Sequence, residues 1–420
     1  MRQQGRQTLL KRRTGRASHG AAAAAEGPFE PDLARAEQLL LRLLALPGRS
    51  GGEGAVMQFI RDALLAAGVP AAAVESDAAH RRSPIGGEVG NLVCRLSSSR
   101  RVPRRLLLAH TDTVPLCLGT EPVVRGHWIA SGTEGRALGA DDRTGVAVVL
   151  ATALEVVERQ LPHPPLSFLF TVQEEAGLLG ARHLRVGMLG RPQAAFNFDG
   201  GAPERLTVGA TGGYRMEIEV RGLAAHAGGA PERGVSAITV ASLAVADLVA
   251  RGWHGRIEKR GRRGTSNIGV FRGGEATNVV APHVFLRAEA RSHHPAFRTA
   301  IVRAIEQAFR RAARKVRSAD GRQAEVVFRG RLDYEAFRLA DDAPCTRIAE
   351  GAVRAIGGEP VRNVCDGGLD GNWLNRHGIP TVTLGCGQTD PHTPRERVDL
   401  KAFRRACRVA LWLATTIEPP

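Results

Sequence analysis

Leu106-Leu107-Leu108-Ala109-His110-Thr111-Asp112-Thr113-Val114 is the stretch on which the reading of the fold turns. Four apolar residues in succession, without the alternation of a half-exposed strand, read as a strand buried on both faces. The run then stops in a polar cluster. The same pattern recurs where Leu166 to Val172 leads into Glu174-Glu175, and where Ala194 to Phe198 leads into Asp199. With the apolar run Leu92 to Leu96 and a long helical stretch over Val146 to Val157, strands and helices alternate, which predicts an α/β unit around a largely buried sheet. Ligands of such sheets gather at strand carboxyl ends, where these polar clusters fall.

Working outward, Asp32 is placed to cap a helix whose Leu33, Ala36, Leu39, Leu40, Leu43 and Leu44 recur at helical spacing until Pro47. Ser50 and Glu53 have capping-box spacing before Val56, Phe59, Ile60, Ala63 and Leu64, which predicts a second helix ending at Gly68. Downstream the texture changes near Gly212, where Tyr214, Met216, Ile218 and Val220 alternate with charged residues. From there to about residue 325 the sequence reads as strand, helix (Ala237 to Val249), strands around Ser266 to Phe271 and Val284 to Ala290, and helix (Ala300 to Arg314). The expected organisation is a unit formed by residues 31–210 and 326–420, a small α+β domain inserted at 211–325, and a disordered basic extension over 1–30.

A chain of 420 residues exceeds the usual size of one hydrophobic core, in keeping with two compact units. No window approaches the roughly 18 to 20 apolar residues of a membrane-spanning helix, so a soluble protein is expected. The formal charge of +16 comes almost wholly from arginine and can favour nucleic acid through counterion release. The arginines are spread along the chain, however, and only 5% of residues are aromatic, which disfavours a nucleic-acid-binding reading. Six cysteines, none in a Cys-x-x-Cys pair, read as free thiols of a reducing, cytoplasmic compartment. Residues 1–30 lack the apolar core of a secretory signal, although their arginine-rich, acid-poor composition also suits an organellar transit peptide.

Five segments carry the chemistry. In His110-Thr111-Asp112 the imidazole can leave the sheet edge while Asp112 fixes its tautomer, or the three residues can form an ordinary turn. In Gly139-Ala140-Asp141-Asp142-Arg143-Thr144-Gly145 a carboxylate can bridge two cations, or either aspartate can simply cap the following helix. In Glu174-Glu175 one carboxylate can ligate a metal while its neighbour holds a water. Asp199 closes a buried strand ahead of Gly200-Gly201, and His392 sits in a Gly- and Pro-rich loop from Gly385 to Pro394. Two imidazoles and several carboxylates make a nitrogen and oxygen donor set that suits Zn²⁺, with Mn²⁺ or Co²⁺ as alternatives.

In combination, Leu-Ala-His-Thr-Asp-Thr-Val (108–114), Gly-Ala-Asp-Asp-Arg-Thr-Gly (139–145), Gln-Glu-Glu-Ala-Gly (173–177), Phe-Asp-Gly-Gly (198–201) and Pro-His-Thr-Pro-Arg-Glu (391–396) resemble the dizinc exopeptidases, which include peptidase T, glutamate carboxypeptidase and the aminoacylases. The match is closest to the peptidase T branch and runs from about residue 32 to the C-terminus. The resemblance implies a catalytic domain with a mixed, largely parallel sheet and an inserted ferredoxin-like lid. It also implies two Zn²⁺ per chain, with Asp141 bridging, His110 and Asp199 completing one site, and Glu175 and His392 the other. Asp112 would orient His110, and Glu174 would serve as the general base. Arg143 departs from the pattern, standing where relatives usually have lysine.

Further resemblance lies in the inserted region, where Ala224-Ala225-His226-Ala227-Gly228 occupies the place of the family's lid histidine. It implies that His226 stabilises the oxyanion and, since this residue often crosses a dimer interface in relatives, that the chain forms a homodimer through the lid. Asn278 and Arg291 match positions that shape the substrate pocket. The implied substrate is a short peptide, a tripeptide in particular, cut as by an aminopeptidase. A carboxypeptidase or an N-acyl amino acid deacylase would use the same metals and base, and an inactive nucleic-acid-binding relative is the reading from a different class.

Overall fold

The computed structural model describes residues 29–417, so nearly all of the extension expected at 1–30 lies outside the described residues. The run that opened the sequence reading lies in the strand Arg105–His110, every residue of which is buried. This strand pairs in parallel with Leu166–Thr171 on one side and Ala194–Phe198 on the other, and the latter pairs in parallel with Thr381–Leu384. These four form the centre of a nine-stranded mixed sheet, with Leu92–Leu96 antiparallel beside Leu166–Thr171.

The unbroken apolar run has a physical reason. Leu107 and Ala109 face a core built with the helices Leu33–Ala45, Ala140–Glu158 and Leu400–Thr415, through residues such as Leu40, Val149 and Phe403. Leu106 and Leu108 face a second cluster with Met188, Leu189, Leu374 and Ile379. Both sides of the strand are dry, and the sequence shows no alternation for that reason. At its end, His110 emerges beside the end of Leu166–Thr171.

Asp32 caps the first helix as expected, accepting the N–H of Arg35 at 3.0 Å. The capping box expected at Ser50 and Glu53 does not form, although a helix does follow over Gly54–Ala66. Both side chains have tertiary partners instead: Ser50 donates to Asp112 at 2.6 Å, and Glu53 accepts from the N–H groups of Gly51 and Gln173 at 2.8 and 3.1 Å.

The inserted domain begins with the strand Gly212–Arg221, whose burial alternates from Tyr214 onward. It builds a five-stranded antiparallel sheet in the order Gly255–Lys259, Arg262–Gly273, His283–Ser292, Gly212–Arg221, Glu325–Tyr334. Without the edge strand Gly255–Lys259, the topology is the βαββαβ of a ferredoxin-like unit. The helices Ala237–Ala250 and Pro295–Lys315 cover one face, burying Met216, Ile218, Leu286, Ile301 and Phe309. The expected boundary at 325 is too early, because Glu325–Tyr334 pairs along Gly213–Arg221 and carries the domain to Tyr334. A short sheet made by Pro122–Arg125, Trp128–Ser131, Arg397–Asp399 and Gln388–Thr389 completes the catalytic unit.

The helix Ala140–Glu158 approaches the end of Ala194–Phe198 closely: a Cβ at Gly145 would lie 2.0 Å from the carbonyl oxygen of Phe198 and 2.5 Å from the carboxylate of Asp142. Gly145→Ala should therefore lower stability by roughly 1–3 kcal/mol, read as a shifted urea midpoint. An unchanged midpoint would show that the helix can move away from the strand.

Candidate metal centre

His110, Asp141, Glu174, Glu175, Asp199 and His392 come from five separate segments, and the fold gathers them at the carboxyl edge of the central strands. His110 is buried, with Nε2 3.1 Å from Asp141 Oδ1. On the other side of Asp141, Oδ2 lies 3.4 Å from His392 Nε2, which is itself 2.7 Å from Glu175 Oε1. Ligand-capable atoms thus fall into two groups, His110 with Asp141 and Asp199, and Asp141 with Glu175 and His392, each with its atoms within 4.8 Å of one another. Asp141 is common to both.

The adjacent aspartates divide the two roles open to them in the sequence. Asp142 takes the helix end: its Oδ1 accepts the N–H of Gly145 at 3.1 Å, and its Oδ2 accepts the N–H of His110 at 3.2 Å. Asp141 is left to face the cluster. The two are joined by a cis peptide bond.

Asp112 holds the centre together from below. Its carboxylate accepts the N–H groups of Glu174 at 2.9 Å and Glu175 at 3.2 Å as well as the Ser50 hydroxyl, and lies 3.4 Å from His110 Nδ1. Burial alone would raise its pKa, but these hydrogen bonds hold it below the ordinary value. Asp112 therefore orients the imidazole, with its backbone carbonyl 3.2 Å from His110 Nδ1, while its carboxylate fixes the turn that carries both glutamates.

Two supporting residues escaped the sequence reading. Glu396 is buried and accepts the N–H groups of Gly139 at 2.8 Å and Asp141 at 3.0 Å, fixing the backbone on either side of Ala140. Gln388 donates to Asp199 Oδ1 at 3.1 Å. Their signal was position, since both lie within a few residues of His392.

The electrostatics are those of a site short of positive charge. Burial pushes Glu174 well above the ordinary carboxyl range, with Asp199 and Glu175 adding to the shift, and it pushes Asp199 up to about 7, helped by Asp141. Burial also opposes ionisation of Asp141, yet contacts with His110 and His392 hold its pKa below the ordinary value. Among the described residues no Lys or Arg pairs with Asp141, Glu174, Glu175 or Asp199. The buried Arg143 points elsewhere, donating to the Gly48 carbonyl at 3.3 Å. A donor set of two imidazoles and crowded carboxylates with no basic side chain fits a pair of divalent cations.

Three expected site residues do not join this cluster. His226 is exposed on the lid, and its Nδ1 accepts the N–H groups of Gly228 and Gly229 at 3.1 and 2.9 Å. In the neutral ring this leaves the proton on Nε2, available to donate. Asn278 is also exposed, and backbone pairing brings its segment beside His226: Ala227 donates to the Asn278 carbonyl at 2.9 Å, and His226 bridges Val279. Arg291 makes a two-pronged pair with Glu289, both contacts at 3.0 Å.

A centre of this kind marks a metal-dependent hydrolase, and comparison with known proteins defines the family. The model of peptidase family M20/M25/M40 matches residues 106–416, and the chain belongs to that family. It is 34% identical over 327 residues to the uncharacterized protein YqjE of Bacillus subtilis, covering 78% of this chain and 84% of that protein. The crystal structure of a tripeptidase from Staphylococcus aureus superposes with a TM-score of 0.82 at 30% identity, over 92% of this chain and 99% of the other. The aminopeptidase PepT of Bacillus cereus gives a TM-score of 0.79 at 29% identity, over 92% and 98%.

Glu396→Gln replaces one of two accepting oxygens with a donor facing an N–H, and should weaken metal retention by roughly 10- to 100-fold, as measured by titration against a chelator. Retention equal to wild type would remove Glu396 from the support of Asp141. His392 is pushed up to about 10 by its hydrogen bonds to Asp141 and Glu175, so metal uptake at Nε2 must expel a proton at neutral pH. Calorimetry of Zn²⁺ binding at pH 7 should give heats that vary with buffer ionisation enthalpy; heats independent of buffer would exclude that exchange.

Proposed function

We propose that the protein is a dizinc aminopeptidase that removes the N-terminal residue of short peptides, tripeptides in particular. The observation that carries this reading is the pair of ligand groups sharing Asp141 beside the buried carboxyl of Glu174. The likeness to a tripeptidase and to PepT supports the choice of substrate end. His110 and Asp199 would hold one cation, Glu175 and His392 the other, and Asp141 both; Zn²⁺ fits the donor set, with Co²⁺ or Mn²⁺ as alternatives. Bound there, the cations supply Lewis acidity toward a water and the scissile carbonyl.

Glu174 takes the proton of the attacking water on its carboxylate and returns it to the leaving amine. Asp112 keeps the glutamate turn in register through its carboxylate and the His110 ring through its backbone carbonyl. His226 donates from Nε2 to the oxyanion. Because His226 lies exposed on the lid, this role calls for lid closure or a second copy, and we read the lid as a homodimer surface. The exposed Ile238, Leu243, Val249, Phe271 and Val279 on the lid support that assignment. Asn278 and Arg291 remain proposed substrate contacts, Arg291 as a partner for a substrate carboxylate.

Among the described residues no helix is long and apolar enough to cross a membrane. All six cysteines are free, in keeping with a cytoplasmic location. The dispersal of arginine among many surface ion pairs supports the view that nucleic acid is not a partner.

The test is a panel of free, N-acetylated and C-amidated tripeptides before and after chelation. Cleavage of the free-amine peptides alone, lost on chelation and restored by Zn²⁺, is expected; turnover of only the N-acetylated peptides would assign a deacylase or carboxypeptidase instead. Glu174→Gln should reduce kcat by at least about a thousandfold while metal stays near two ions per chain. Retained turnover would refute Glu174 as the base.

A further inference from the structure

Between the catalytic unit and the open face of the lid sheet lies a cleft of about 690 Å³. One wall, from the catalytic unit, is apolar: Pro84, Ile85, Ala176 and Leu179. Ala176 follows Glu175 directly, so the cleft opens from the turn that carries both glutamates. The other wall comes from the lid strands and is charged.

Strand register arranges that wall in rows. Arg331 stands directly opposite Arg215, which stands opposite Glu289, and in the next row Arg329 and Arg287 flank Glu217. Four arginines therefore face the cleft against two glutamates. Most of this charge is matched locally. Arg215 pairs with Asp333 at 2.6 Å, Arg329 with Glu219 at 3.0 Å, Arg287 with Glu217 at 3.4 Å, and Glu289 is held by Arg291. The Arg331 side chain has no hydrogen bond or ion pair with any described residue, and its cross-strand neighbour is another arginine. Like charges directly opposite on a sheet are destabilising; Asp333 offsets Arg215, and an incoming anion would offset Arg331.

The row also lies close to the chemistry. A Cβ on Gly177, two residues from Glu175, would lie 3.6 Å from Arg215 Nη2 and 3.4 Å from Asp333 Oδ1. A peptide lying along the apolar wall with one end at the glutamates thus has its distal residues beneath Arg215 and Arg331.

We infer that this cleft selects short peptides bearing an acidic side chain, whose carboxylate is taken by Arg331 alongside Arg215. The inference rests on the peptidase reading of the Glu174 centre. Arg331 is a specificity residue with no part in the bond-breaking step.

The test uses the zinc-loaded full chain and the tripeptides Ala-Glu-Ala and Ala-Ala-Glu beside Ala-Gln-Ala and Ala-Ala-Gln, each with a free and an amidated C-terminus. Both kcat/KM and calorimetric binding to the Glu174→Gln variant are measured. The Glu peptides should be favoured by roughly tenfold over their Gln counterparts, with either C-terminus, and the ratio should fall with added salt. Arg331→Ala should bring the ratio near unity, and Arg331→Glu should turn the preference toward Ala-Lys-Ala. Equal handling of Glu and Gln peptides would overturn the inference. So would a loss in Arg331→Ala that follows the free C-terminus regardless of side chain, which would assign Arg331 to the terminal carboxylate. Acid-selective binding without cleavage would leave the cleft assignment standing while the peptidase reading falls; cleavage without selectivity would do the reverse.

Discussion

Crowding of negative charge at one sheet edge is the constraint on which the rest of the structure depends. Asp141, Glu174, Glu175 and Asp199 meet where water is largely excluded, and among the described residues only the imidazoles of His110 and His392, with no lysine or arginine, pair with them. Bringing such groups together raises the proton affinity of Glu174, Glu175 and Asp199, and the protein holds them there through a rigid surround. Asp112 grips the glutamate turn by two backbone N–H groups, and Glu396 grips the backbone around Ala140 by two more. Asp142 ties the helix end to the strand end through Gly145 and His110. Backbone amides thus add to the positive charge that the two imidazoles bring to the cluster.

The central strands and the ligand positions were legible in the sequence because burial on both faces removes polar residues until the strand ends. His110 and Asp199 stand out as the first titratable side chains after dry runs. Local pattern alone did not separate Asp141 from Asp142, since either could cap the helix; the family resemblance singled out Asp141, and the hydrogen bond from the Gly145 N–H shows that Asp142 is the cap. Ser50 and Glu53 misled because a capping box is a local pattern, while their partners Asp112 and Gln173 are far away in sequence.

The lid was harder to read at its far end. In Glu325–Tyr334 the alternation is broken by Val327 on the polar face and by Gly330, where a side chain would collide with the ring of Tyr214. The strand is held by its pairing with Gly213–Arg221, a contact across more than a hundred residues that no local pattern reports. His226 and Asn278 matched the family pattern yet stand exposed in a single chain, so sequence likeness fixed their position on the lid without fixing what they meet.

The insertion also sets an order of events during synthesis. The lid, from Gly212 to Tyr334, is contiguous and has its own core, so it can fold as soon as it leaves the ribosome. The catalytic sheet cannot: Ala194–Phe198 must wait for Thr381–Leu384, and the cluster lacks His392 until the whole lid has been made. A nascent chain therefore carries an incomplete donor cluster throughout the synthesis of the lid, and the cluster closes only after the inserted domain has had time to fold.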